Sequence, residues 1–267
     1  MRQVESCAVK NHVKETRVWA TERARTGLVR LATEKICYAI GRNQILSNIS
    51  IHVDQDEVVG LLGRDGAGKT SLFQLLAGFV APNSGRVILG GQDITTRVAN
   101  ERVNQGLSYL PEEPSIFREL SVEENIELAL SFSESDADVR IARLEQLLQE
   151  YQLNRVRGQS ATSLSGGERR RCEVARAMAT HPVILMLDEP FRGLDPMSVS
   201  EVVRTVTSLR ERTIGVLISD YDLHDLIELI DRAYVLHEGS VIFDGTAAEL
   251  ITDPVVRHLY LGESFSL

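Results

Sequence analysis

The chain has 267 residues, 43% hydrophobic and 25% charged, an ordinary globular composition with length enough for one or two lobes. Its net charge of −9 argues against a nucleic-acid binder, and no apolar run approaches the ~20 residues of a membrane span. Cys7, Cys37 and Cys172 lack C-x-x-C spacing and read as reduced thiols of a cytosolic protein, and no apolar stretch after the first basic residues suggests a secretory signal.

Residues 1–32 read as a basic extension, with seven basic against three acidic residues in the first 30 and the only tryptophan, Trp19. A solvated tail is the expectation, a membrane-surface or partner-binding helix the alternative. The main domain is expected over residues 33–267. Strand patterns begin near Lys35: "ILSNISIHV" alternates, "EVVGLLG" is a short buried run, and "GRVILGGQDI" is a strand and turn. Between two of these, Gly63-Arg64-Asp65-Gly66-Ala67-Gly68-Lys69-Thr70 fits G-x-x-x-x-G-K-[ST], in the strand-to-helix context that gives the motif meaning. Glycines let backbone N–H groups wrap phosphates at a helix N-terminus. Lys69 is expected to reach the β- and γ-phosphates, Thr70 to bind Mg²⁺ and Ser71 to add a phosphate contact.

A helical insertion is expected over about 115–170. Ser121 and Glu124 form a capping box that opens "VEENIELALSF", and Ile141, Leu144, Leu148 and Tyr151 recur at helical spacing. Next, Ser165, Gly166 and Gly167 precede a helix expected to open at Glu168, a second anion site separate from the first. Two such sites in one chain suggest copies meeting head to tail. "VILMLDEP" is a buried strand ending in Asp188, a candidate Mg²⁺ ligand, and Glu189, placed to orient or deprotonate an attacking water. A helical stretch separates it from the strand "IGVLISD".

The order of these motifs, with "LSGGERRRCEVARA", resembles the ATP-binding subunits of ABC transporters over about residues 33–267. "LSYLPEEPSIFRELSVEENI", "LDEPFRGLDPMSV" and "YLGESFSL" resemble most the branch that powers lipopolysaccharide export, with branched-chain amino-acid importers as close cousins. The resemblance implies an α/β fold: a P-loop NTPase core of ABC-ATPase type, with a small antiparallel β part and the helical insertion. It implies ATP and Mg²⁺ as cofactors, and a head-to-tail homodimer or paired ATPase subunit. It also implies integral membrane subunits docking near Phe117, Leu120 and Val122, no nucleic acid, and a peripheral place on the cytoplasmic face of the inner membrane. Gly193-Leu194-Asp195-Pro196 fits the loop that crosses to the other subunit.

The sequence departs from the family at two positions. Glu112 stands where a glutamine normally touches Mg²⁺ and water; a carboxylate can still ligate the ion but adds charge near the γ-phosphate. Tyr221 stands where a histidine follows "ISD", and His224 is too far along to replace it. The adenine-stacking aromatic belongs near Ile40; Tyr38 is equally readable as that residue or as a packed strand aromatic. Glu112 and Tyr221 keep open a subunit that closes on ATP but hydrolyses it weakly, while Glu189 opposes that reading. A soluble ABC ATPase of DNA repair or translation is disfavoured, since the chain has no tandem second unit, long coiled coil or zinc-spaced cysteines.

Overall fold

The computed structural model describes residues 30–220 and 223–262. The tail up to residue 29, Tyr221 and the end of "YLGESFSL" lie outside the described residues. In chain order the elements that frame the molecule begin with β1 (Arg30–Ile40), β2 (Asn43–Ile49), β3 (His52–Asp54), β4 (Val58–Leu62), α1 (Lys69–Ala77), β5 (Ser84–Leu89) and β6 (Gln92–Asp93). Then come α2 (Ala99–Asn104), β7 (Leu107–Leu110), α3 (Val122–Ser133), α4 (Ala137–Glu150), α5 (Gly166–Met178), β8 (Ile184–Asp188), α6 (Pro196–Glu211) and β9 (Gly215–Ser219). The last are α7 (Leu223–Ile227), β10 (Arg232–His237) and β11 (Ser240–Thr246).

Two sheets result. One is antiparallel, in the order β2-β1-β5-β6, with β3 also on β1. The other runs β11-β10-β4-β9-β8-β7; it is parallel from β10 to β7, with β11 as an antiparallel edge. Residues of β4, β8 and β9 are buried on both faces, which is why they read as unbroken apolar runs rather than alternating ones. Leu72, Phe73, Leu75 and Leu76 of α1 pack with β1 and β5 residues in one core; α3, α4, α5 and α6 fill the other.

Several expectations shift at the boundaries. The first strand starts at Arg30, three residues before the expected domain edge, because Leu31 is buried and Arg30 pairs with Asp54 across the ladder. The capping box at Ser121 forms as read, opening α3 at Val122. On α4, Leu144, Leu147 and Leu148 face the core and Tyr151 follows them in, whereas Ile141 is exposed. The helix expected from Glu168 opens two residues earlier: Ser165 is its N-cap and Glu168 is the third helical residue, closing a reciprocal capping box.

Candidate functional site

Parallel strands β4, β7, β8 and β9 all point their carboxyl ends to one edge of the sheet, where ligands of open α/β sheets bind. That edge carries the Gly63–Gly68 loop after β4, Glu112 after β7, Asp188 at the end of β8 with Glu189 after it, and Asp220 after β9. Residues remote in sequence meet there because the sheet order is not the chain order.

The loop needs its glycines for two different reasons. Gly63 has φ +146°, and a Cβ on it would lie 2.4 Å from the Leu236 carbonyl oxygen, so the first turn is a close backbone approach. Gly68, at φ +106°, caps α1 from the left-handed region. Lys69 is buried; its Nζ donates to the carbonyl oxygens of Gly63 (2.8 Å) and Arg64 (3.4 Å) and lies 4.0 Å from Glu189 Oε1. Thr70 and Ser71 sit half-exposed on the first turn of α1, while Arg64, Asp65 and Gly66 face solvent.

Asp188 is fully buried, accepting from Ser219 Oγ at 2.8 Å and Tyr109 Oη at 3.2 Å. Glu189 follows with φ +45°, a left-handed backbone that costs a non-glycine residue about 1–3 kcal/mol. Its N–H donates to Ser219 O at 2.9 Å, which holds that conformation and turns the side chain toward Lys69. Burial, and after it the neighbouring Glu112, push the Glu189 carboxyl above its ordinary pKa, while Lys69 and Arg192 pull it back. The donor set of Thr70, Asp188 and Glu112 is all hard oxygen, the chemistry that suits Mg²⁺.

The serine-glycine stretch expected as a second anion site forms the N-terminus of α5. Ser165 Oγ accepts from Glu168 N–H at 3.3 Å and donates to Glu168 Oε2 at 2.7 Å, leaving Ser165 exposed at the helix end. A Cβ on Gly167 would lie 2.5 Å from Ser198 Oγ, so this glycine lets α5 close on α6. Asp195 caps α6 through Met197 N–H and Ser198 N–H, so the Gly193–Pro196 turn and the Ser165–Gly167 helix end share one surface.

Sequence reading missed the residues that join these parts. Arg170 and Glu173 form a buried pair at 3.2 Å; Arg170 donates to Pro111 O and Glu173 accepts from Ser115 N–H. Helix α5, the signature helix that opens at the "LSGG" stretch, is thereby tied to both ends of the loop that carries Glu112. Arg176 donates to Ser115 Oγ and lies over the Phe117 ring at 5.0 Å. Arg192 pairs with both Glu112 and Glu189. The usable signal was charge: an extra carboxylate at Glu112 calls for an extra cation nearby, and Arg192 stands three residues after Glu189.

Three further expectations divide. Phe117 is exposed and its backbone N–H and C=O are both clasped by buried Asn125, but Val122 is a fully buried core residue rather than part of a surface groove. Tyr38 is half-buried against the antiparallel core, while Ile40 is exposed; register shifts on both sides of Tyr38 break the alternation that would align the two. No helix among the described residues is long and apolar enough to cross a membrane.

A phosphate loop at the carboxyl edge of a parallel sheet, with an acidic pair on a neighbouring strand, defines a P-loop nucleoside triphosphatase. The ABC transporter family model matches residues 46–192, more than half of the chain. The chain belongs to that family: it is an ABC-type ATPase, an ATP-binding subunit with a nucleotide site. It is 43% identical over 237 residues to the lipopolysaccharide export system ATP-binding protein LptB of Acidithiobacillus ferridurans, covering 89% of this chain and 98% of the relative. Its fold is similar to the ADP conformation of the ABC cassette MJ1267, with a TM-score of 0.78 and 26% identity over 88% of this chain and 99% of that one. It also shares the fold of the cassette MJ0796, solved as a dimer in a post-hydrolysis state bound to ADP and Pi, with a TM-score of 0.72 and 21% identity over 81% and 98% of the two chains.

Proposed function

We propose that this chain powers lipopolysaccharide export, as a peripheral ATPase on the cytoplasmic face of the inner membrane. Two copies, or one copy and a paired ATPase subunit, close head to tail around two nucleotides. The supporting observation is that Lys69, which opens α1, and Glu189, which follows β8, converge beside the phosphate loop, while Ser165 is exposed at the N-terminus of α5. Similarity to LptB over nearly the whole length of that relative supports the cargo.

In this reading the backbone N–H groups of residues 63–68 cradle the triphosphate, with Ser71 as a further contact, and Lys69 meets the β- and γ-phosphates. The adenine lies against the Tyr38–Ile40 end of β1. Thr70, Asp188 and Glu112 would hold Mg²⁺, which when bound offsets charge developing on the phosphoryl oxygens. Glu189 orients the attacking water and accepts its proton. Tyr221 contacts the γ-phosphate or that water as a neutral donor. The Ser165–Gly167 helix end of the facing copy stabilises the γ-phosphate from the opposite side. Membrane subunits dock at the Phe117 loop, whose position Arg170, Glu173 and Arg176 couple to the signature helix.

The test is purification of the intact complex from membranes through this chain. Co-purifying membrane subunits that carry lipopolysaccharide, and ATPase activity lost with Glu189→Gln, are expected. Recovery instead with amino-acid importer subunits would assign the cargo to the cousin branch.

A further inference from the structure

The Arg192 guanidinium is 64% exposed, a position where a lone ion pair contributes little to stability. Its placement is nevertheless specific. Nη1 donates at once to Glu112 Oε1 and to Glu189 Oε2, the latter at 3.1 Å. Glu189 in turn lies 4.0 Å from Lys69 Nζ. Four side chains therefore form one ionic chain, Glu112–Arg192–Glu189–Lys69, with two carboxylates balanced by two cations. An amide at position 112 with no cation at 192 would leave one carboxylate and one cation, the same balance. Glu112 without Arg192 would leave an uncompensated negative charge beside the place where the triphosphate must bind.

We propose that Arg192 is a positioning residue that makes Glu112 workable: it neutralises that carboxylate at the phosphate site and fixes the rotamer of Glu189 between two cations. The proposal rests on the reading of Glu189 and Lys69 as the water- and phosphate-handling groups. Glu112 and Arg192 then act as one unit, and neither is a neutral change without the other. Loss of Arg192 alone exposes the triphosphate to Glu112 and weakens nucleotide binding. Loss of the Glu112 charge alone leaves Arg192 with Glu189 as its only anion: nucleotide binds more tightly, but the guanidinium holds Glu189 back from the water, so kcat falls. Loss of both restores the starting balance.

The experiment is a double-mutant cycle on the full chain with Arg192→Ala, Glu112→Gln and the pair. It reads the Kd of a fluorescent ATP analogue with Mg²⁺ and with EDTA, alongside kcat and KM. Arg192→Ala is expected to weaken the analogue about three- to tenfold in both buffers, the scale of one partly screened charge. Glu112→Gln should lower Kd in EDTA, the double variant should return within about twofold of the wild-type Kd in EDTA, where loss of Glu112 as a Mg²⁺ ligand does not enter, and Arg192→Lys, which keeps the charge, should keep most of the affinity. Equal and additive effects of Arg192→Ala in the two backgrounds would overturn the proposal, as would an unchanged Kd. Glu189→Gln, run in parallel, checks the underlying reading separately: full hydrolysis by that variant would remove Glu189 from the chemistry, whereas the affinity cycle judges the Glu112–Arg192 unit by itself.

Discussion

Lys69 Nζ and Glu189 Oε1 stand 4.0 Å apart, both buried, although one opens α1 and the other follows β8. A buried ammonium needs partners, and Lys69 finds them in Glu189 and in the carbonyl oxygens of Gly63 and Arg64. These are contacts a triphosphate can replace one for one. Lys69→Ala should therefore weaken ATP binding by roughly ten- to a hundredfold, the worth of a hydrogen bond to a charged group. Wild-type affinity in a nucleotide titration would remove Lys69 from the phosphate site.

Arg102 is another buried cation, 1% exposed, whose guanidinium donates to backbone carbonyls. It donates to Leu75 O and Leu76 O, carbonyls at the C-terminal end of α1, and to Thr95 O and Arg97 O. Burial lowers its pKa to about 10, so it remains charged at neutral pH. Arg102→Met would leave several buried carbonyls without donors. A loss of roughly 3 kcal/mol is expected, seen as a melting temperature lower by about 10 °C. A change of under about 2 °C would show that the carbonyls find other partners.

Acid should loosen the signature helix. Hydrogen bonds from Ser165 hold the Glu168 carboxyl below its ordinary 4.5, and Arg157 does the same for Glu123. Carboxyls depressed in the folded state contribute stability that is fully present above their unfolded value and lost as pH falls through the folded one. The melting temperature should thus hold above pH 4.5 and fall below it, less steeply in Glu168→Ala, which has already lost its half of the capping box. An identical acid slope in that variant would exclude Glu168 as a contributor.

Most of the scaffold was legible because its signals are local. Glycine spacing, the capping box at Ser121 and the apolar runs of β4, β8 and β9 each report on a few neighbouring residues. Illegible were the features that depend on sheet order. Nothing near Arg192 in the sequence says that β7 and β8 are neighbours, yet that adjacency brings Glu112 within its reach. The Arg170–Glu173 pair is similar: its partners Pro111 and Ser115 lie on a loop fixed only by the fold. The placement of Tyr38 relative to Ile40 was illegible for a different reason, since the bulges beside Tyr38 cannot be read from alternation.

Tyr221 remains a reading of the sequence alone. A phenol, with a pKa of about 10, offers only a neutral donor at neutral pH, whereas an imidazole can also carry charge. Tyr221→His should raise kcat more than it changes KM, the signature of an interaction improved in the transition state. A Tyr221→Phe variant as fast as wild type, with no gain from histidine, would remove the side chain from the reaction.

Two copies are expected to close head to tail on ATP, each completing the other's site. Glu189→Gln should preserve nucleotide binding while stopping the step that reopens the pair. Size-exclusion chromatography with light scattering, in MgATP, is therefore predicted to show the variant as a dimer that reverts to monomer when nucleotide is removed. A species that stays monomeric in MgATP, with the membrane subunits present as well as without them, would contradict the account.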